Sequence, residues 1–209
     1  MKTVLCFGDS NTYGFNPATK ERFDWGVYWT SIIADRLRDY DINIVNEGLC
    51  GRTAAHDDPV KPYRNGFDSL PMILETHNPI DTIILMLGTN DCKTQFKTDE
   101  HIVGWCIKRL IEVIKLTCPD TKILLVSPIE LGRRVWAEEF DPKFSKNSIE
   151  ITKRLPEVYE NISKIYEIDF LAASDYADPS ETDREHMDEE GHLALADAIY
   201  EKLKEMNVY

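Results

Sequence analysis

No run of apolar residues in this chain approaches the ~20 that a membrane-spanning helix needs, so a helical membrane anchor is not expected. Nor is there a Cys-x-x-Cys pair: the five cysteines, at positions 6, 50, 92, 106 and 118, are odd in number and scattered, which argues against a disulfide framework and against a zinc knuckle. Reduced thiols are expected, with Cys6 a small core residue. Positive charge is scarce too, 24 Lys and Arg against 37 Asp and Glu, for a net charge of −13. The basic footprint demanded by nucleic acid or an anionic membrane is missing, and a small neutral or weakly charged partner fits better. No repeat or low-complexity linker divides the chain, and Met1-Lys2 leads directly into a strand-like run with no space for a secretory leader. A cytoplasmic protein with one domain over residues 1–209 is therefore expected, its 43% of hydrophobic residues being enough for one substantial core.

Five apolar segments have the length and β-branched character of buried strands: residues 3–7, 42–45, 82–87, 122–126 and 165–168. Helical spacing lies between most of them. Trp29, Ile32, Ile33 and Leu37 share a face; so do Ile102, Cys106, Leu110, Val113 and Ile114, and near the end Leu195, Ala196, Ile199 and Leu203. Such alternation predicts an α/β fold with a five-stranded parallel sheet covered on both sides. Two stretches fit less well. Residues 51–79 are rich in turn dipeptides, with one helix expected near 70–75, and residues 128–148, dotted with Trp136, Phe140 and Phe144, read as a long loop over the sheet edge with the character of a lid. The helix that follows, marked by Ile151, Leu155, Val158 and Ile162, is expected to start late or kink at Pro156.

Polar, Gly-rich loops follow the strands: Gly8-Asp9-Ser10-Asn11 after the first, Asn46 to Thr53 after the second, Gly88-Thr89-Asn90-Asp91 after the third, and Asp183-Arg184-Glu185-His186 beyond the fifth. Loops at the carboxyl ends of parallel strands are where ligands bind in such sheets. Acyl transfer needs a hydroxyl, an imidazole to take its proton, a carboxylate to orient the imidazole, and donors for the oxyanion. Ser10, His186 and Asp183 supply the first three, and Gly51 and Asn90 are donor candidates, one through a closely approaching backbone N–H and the other through its amide. Tyr13 and Phe15, close behind the nucleophile loop, are candidate pocket walls together with Trp25, and Arg52 is expected in an ion pair with one of the acidic loops. Each piece also has a plainer use: Ser10, Asn11, Asp9 and Asp91 as helix caps, Gly51 as a turn glycine. Two other sites compete. The stretch DSNTYG resembles the hydroxyl-rich loop by which flavodoxins hold a phosphate, which would make the chain an FMN-binding module; and Asp9, Asp91, Asp183 and His186 are a candidate metal set for phosphoester hydrolysis. His192, with Glu189 three residues before it, reads as a helix-surface histidine.

Taken in order, FGDSNTYG, NEGLCGRT, MLGTND and DREH resemble the four blocks of the SGNH hydrolase family, also called GDSL esterases and lipases, and the connecting text is most similar to its bacterial arylesterase and acyltransferase branch. The resemblance implies a flavodoxin-like three-layer α/β/α sandwich and serine ester hydrolysis without cofactor or metal. It implies Ser10 as nucleophile and oxyanion donor through its own N–H, Gly51 and Asn90 as the other donors, and His186 as base with Asp183 behind it. Hydrolysis of a short-chain acetyl or aryl ester, with acyl transfer to alcohols, is the implied activity on a small-molecule substrate, in a homo-oligomer. Where the family usually has Asp-Gly-x-His, this chain carries Arg184, which a positive φ at that position would strain.

Overall fold

A computed structural model describes all residues from Met1 to Tyr209. Five strands, β1 (Lys2–Gly8), β2 (Ile42–Gly48), β3 (Thr82–Met86), β4 (Lys122–Ser127) and β5 (Asp169–Ala172), form one all-parallel sheet in the order β2-β1-β3-β4-β5. The helices are α1 (Ser10–Tyr13), α2 (Trp29–Arg36), α3 (Gly66–His77), α4 (Glu100–Thr117), α5 (Lys146–Tyr166) and α6 (Glu189–Glu205). Because strand side chains alternate in direction, Leu5, Phe7, Ile83, Leu85, Ile123 and Leu125 face α3, α4 and α5, while Val4, Cys6, Ile84, Met86, Leu124 and Val126 face α2 and α6. Two apolar cores back to back give the three layers. No helix is long and apolar enough to cross a membrane, and all five cysteines are unpaired.

Register places the site. Gly8 pairs with Gly48 on one side and Met86 on the other, so β1, β2 and β3 end at one level and their loops leave from a shared edge. The chain reverses its direction of winding between β1 and β3, the switch point where such sheets open a crevice.

Several expectations are corrected. The last strand is Asp169–Ala172, not 165–168: α5 runs on through Ile165, two-thirds exposed, to Tyr166 and ends at Glu167 with φ 52°. A four-residue stretch such as Ile-Tyr-Glu-Ile carries no length signal to tell a helix end from a strand. Pro156 lies inside α5 without ending it, and the helix starts at Lys146, where Ser145 and Ser148 cap each other's backbone. The ~3 kcal/mol lost to an interior proline is outweighed by burying Ile151, Leu155, Tyr159 and Ile162 along one face. Helix α3 is longer than expected, since Asn65 accepts from the Phe67 N–H and starts it at Gly66. The buried face of α4 keeps the expected Cys106, Leu110 and Ile114 but is wider, adding Val103, Ile107 and Ile111, while Ile102 is exposed.

His192 is buried completely, contrary to the surface reading. It falls in the same stripe as Leu195, Ala196, Ile199 and Leu203, and its Nδ1 accepts from the Trp29 N–H at 3.4 Å. Burial, helped by the nearby His186, pushes its pKa down to about 3 from 6.5. Unfolding exposes an imidazole that takes up a proton below about pH 6.5, whereas the folded one stays neutral, so this residue's stabilising share is present above 6.5 and is lost as pH falls toward 3. The slope is at most about 1.4 kcal/mol per pH unit. Urea unfolding of wild type and His192→Gln across that window should show a shallower loss in the variant; parallel curves would refute the assignment.

Candidate active site

Strand β1 delivers its chain into a tight turn. Asp9 caps α1 by accepting from the Asn11 N–H at 3.0 Å, as its plainer reading had it, and burial pushes its carboxyl up to about 6. Ser10 thus begins a one-turn helix that Gly14 closes with φ 88°. Its hydroxyl lies 2.8 Å from His186 Nε2, across 176 residues of chain. The His186 Nδ1 lies 2.7 Å from Asp183 Oδ2. An ionised carboxylate can only accept, so Nδ1 carries the hydrogen and Nε2 is left to accept from the serine.

The Asp183 turn is itself organised. Oδ1 accepts from the backbone N–H groups of Glu185 at 3.1 Å and His186 at 3.0 Å, and from Ser180 Oγ at 3.4 Å. Burial, the largest influence, acts to raise the pKa of this carboxyl, but the bonds from His186 and the two backbone donors outweigh it and hold Asp183 below its ordinary range. For His186, burial again leads and lowers, but the charges of Glu185, Asp183 and Asp9 with the Asp183 hydrogen bond overcome it, and the net direction is upward from 6.5. A base must be neutral to accept a proton, so hydrolysis should rise with pH with its midpoint above 6.5. Glu185→Gln, removing the negative charge that raises it most, should move that midpoint down. A pH–rate profile of kcat/KM checks both; a wild-type midpoint at or below 6.5 would contradict the electrostatics.

The donor candidates come to the same edge. Gly51 has φ 84°, which glycine adopts freely, and its N–H is bound to no group of the protein. The Asn90 Nδ2 donates to the Arg52 carbonyl at 3.1 Å, which ties the loops after β2 and β3 together and leaves a second hydrogen. Asp91 reinforces that tie: its carboxylate accepts from the Ala54 N–H at 2.8 and 3.0 Å and sits 2.7 Å from His56 Nδ1.

Phe15 stands against the imidazole, ring centroids 4.5 Å apart, whereas the Tyr13 ring stacks on the Arg22 guanidinium at 4.7 Å, and Trp25 is exposed with its indole N–H on Asp35. Arg52 makes no ion pair. It is buried, lies 4.1 Å over Phe7, and its Nη1 donates to the Gly8 and Glu47 carbonyls, so it staples the ends of β1 and β2. Arg184 does adopt the glycine-like conformation, φ 62°. That costs about 1–2 kcal/mol. Nη1 donates to the Arg133 carbonyl at 3.0 Å, Nη2 pairs with Glu181, and the guanidinium covers Phe140, holding the residue in place.

Two contributors escaped sequence reading. Asn11 accepts from the Met187 N–H at 3.0 Å and reaches the Glu185 carbonyl at 3.5 Å, fastening the nucleophile turn to the histidine turn. Gly132 donates to the Arg184 carbonyl at 2.8 Å, and a Cβ there would lie 2.7 Å from the Arg184 Cβ. An Asn beside a Ser looks like a cap, and nothing local links positions 132 and 184.

The competing ligand sets do not assemble. A phosphate cradle would need Ser10, Asn11 and Thr12 turned outward, but all three are buried, the first two with their side chains engaged as above. Asp9, Asp91 and Asp183 face separate partners. The one compact ligand-type group is His56, Asp91 and Cys106, whose donor atoms lie within 4.8 Å of one another. There the Asp91 oxygens already accept from Ala54 and His56, and burial pushes the Cys106 thiol up to about 11, so the group is an internal tie.

A hydroxyl, an imidazole and a carboxylate in hydrogen-bonded series at the switch point of a five-stranded parallel sheet define a hydrolase of the serine type. The chain belongs to the GDSL-like lipase/acylhydrolase family, which matches residues 6–201. It is similar to a carbohydrate acetylesterase from Sinorhizobium meliloti, with 31% identity, 99% of this chain and 100% of that one covered, and a TM-score of 0.93. It is also similar to the inhibitor-bound form of an M. smegmatis aryl esterase, with 32% identity, 98% and 99% covered, and a TM-score of 0.91. No curated protein matches the sequence.

Proposed function

We propose that the protein hydrolyses short-chain acetyl or aryl esters through an acyl-Ser10 intermediate. The observation that carries this is the unbroken series Ser10 Oγ, His186, Asp183 at 2.8 and 2.7 Å. Ser10 Oγ attacks the ester carbonyl carbon as Nε2 of His186 takes its proton, and the charge developing on the carbonyl oxygen meets the N–H groups of Ser10 and Gly51 and the free Nδ2 hydrogen of Asn90. The imidazolium, stabilised by Asp183, then gives its proton to the departing alkoxide. Water, deprotonated by the same nitrogen, attacks the acyl-serine and regenerates the hydroxyl.

The short-acyl preference rests on space. A groove of about 910 Å³ passes Arg184 and Trp136, and another of about 590 Å³ lies between α4 and α5, but neither is walled by Ser10, Gly51, Asn90 or His186. Phe144, from the loop expected as a lid, is a core residue. A small acyl group needs no deep tunnel. Transfer of the acyl group to an alcohol is part of the proposal, because Phe15 gives the imidazole an apolar neighbour that favours a bound alcohol over water. Incubation with p-nitrophenyl esters from acetate to decanoate, and with vinyl acetate plus benzyl alcohol, tests both parts. Acetate should turn over fastest and benzyl acetate should form; faster decanoate turnover removes the short-acyl reading, and acetate as the sole product removes the transfer.

A further inference from the structure

Lys93 is a buried cation that the mechanism above does not use. Three residues after Asn90, it is 9% exposed, and its Nζ donates to Asn90 Oδ1 at 2.8 Å. Its other neighbours belong to the loop before α5. The Asp141 carboxylate lies 3.8 Å away and the face of Phe144 lies 5.2 Å from Nζ. That loop and the first turn of α5 are stitched to the same segment, since the N–H and hydroxyl of Thr94 both donate to the Lys143 carbonyl, at 2.8 and 2.9 Å, and Ser148 Oγ donates to the Cys92 carbonyl at 2.6 Å.

An asparagine amide has an accepting end and a donating end of nearly the same shape, and only its partners decide which points where. An oxyanion hole needs the nitrogen end; the oxygen end would repel the developing charge. At Asn90 two neighbours make the same choice. An ammonium can only donate, so it claims Oδ1, while the Arg52 carbonyl can only accept, so it claims Nδ2. The second Nδ2 hydrogen is thereby left for the substrate. A cation on the amide oxygen also draws electron density from the nitrogen, which makes that hydrogen a stronger donor when charge builds on the substrate.

We propose that Lys93 is a positioning residue for ester hydrolysis: through its bond to Asn90 Oδ1 it fixes and polarises the amide that receives the oxyanion, with Asp141 and Phe144 holding it there. This rests on the esterase reading above. Acting through a transition-state contact, it should show in kcat and not in KM. Losing the Asn90 donor outright should lower kcat by roughly 10²–10³. Losing only its polarisation and one of its two orienting partners should lower kcat by about tenfold, with KM unchanged.

The test is a double-mutant cycle of Lys93→Met and Asn90→Ala on the full chain with p-nitrophenyl acetate, with thermal unfolding measured alongside. Lys93→Met should lose about tenfold in kcat alone but under about twofold in the Asn90→Ala background, because its route to the substrate is then gone. Lys93→Gln, which keeps a donor without the charge, should recover part of the loss, and it replaces the methionine variant in the cycle if that one does not fold. If Asn90→Ala is impaired while Lys93→Met retains full kcat, raises KM instead, or adds its whole loss to that of Asn90→Ala, the positioning role is overturned and the esterase reading stands. If Asn90→Ala itself keeps full kcat, the oxyanion role of Asn90 fails and takes the Lys93 role with it.

Discussion

Ser10→Ala should lower ester hydrolysis by roughly 10⁴-fold or more while leaving the fold unchanged. The hydroxyl is bonded to His186 alone and adds nothing to the cap of α1, which Asp9 supplies. Alanine is the better helix former at this first position, so secondary structure and melting temperature should hold. What disappears is the only atom placed to attack: His186 then has nothing to deprotonate but water, and the oxyanion donors face a nucleophile that is not held in position. The residual rate should be that of an empty hole assisted by a base. Hydrolysis at the wild-type rate would end the serine mechanism, whereas loss of rate together with loss of the thermal transition would mean that the hydroxyl is structural.

Asp183→Asn should cost about as much, on the order of 10⁴-fold, and for a reason that can be read from its four hydrogen bonds. Oδ1 is committed to two backbone N–H groups and the Ser180 hydroxyl, so an asparagine must keep its oxygen there. Its NH₂ group then falls opposite His186 Nδ1, where the native carboxylate oxygen accepts at 2.7 Å. Two donors cannot share that contact. The imidazole must move its hydrogen to Nε2, and Nε2 then confronts Ser10 Oγ as a donor where it has to be a base. The turn survives and the tautomer is wrong, so kcat should collapse with little change in stability or KM. A variant with near-native kcat would show that Asp183 is only a turn-forming residue.

The elements most legible in the sequence were those set by local chemistry. β1, β3 and β4 are continuous apolar runs closed by small or polar residues, and the loops after them could be placed at one sheet edge before any distance was known. Ser10, Asn90, Asp183 and His186 were legible for the same reason, as polar residues directly beyond strands or just before the last helix. Less was visible where a distant partner decides the outcome. Ile165 looks like strand until α5 is seen to run through it, and Pro156 looks like a break until the buried face on either side is counted. Arg52 looked like half of an ion pair because the chain is acidic, but its Nη1 donates to the carbonyls closing β1 and β2 instead. His192 could have been found, since it extends the stripe of Leu195 and Ile199 by one step; its polarity concealed it. Asn11 and Gly132 depend on partners up to 176 residues away, and no window along the sequence contains both halves. Lys93 stands only three residues from Asn90, but Asp141 and Phe144, which hold it there, come from a distant loop.

The acyl-serine itself is the most direct test of the account. The enzyme mixed with p-nitrophenyl acetate, quenched in acid within the first turnovers and digested, should carry one acetyl group on the peptide containing Ser10, at the rate at which p-nitrophenol is released. The label should be absent from Ser10→Ala. An active enzyme whose Ser10 peptide stays unmodified throughout turnover, or whose acetyl group sits on another residue such as Cys50, would contradict it.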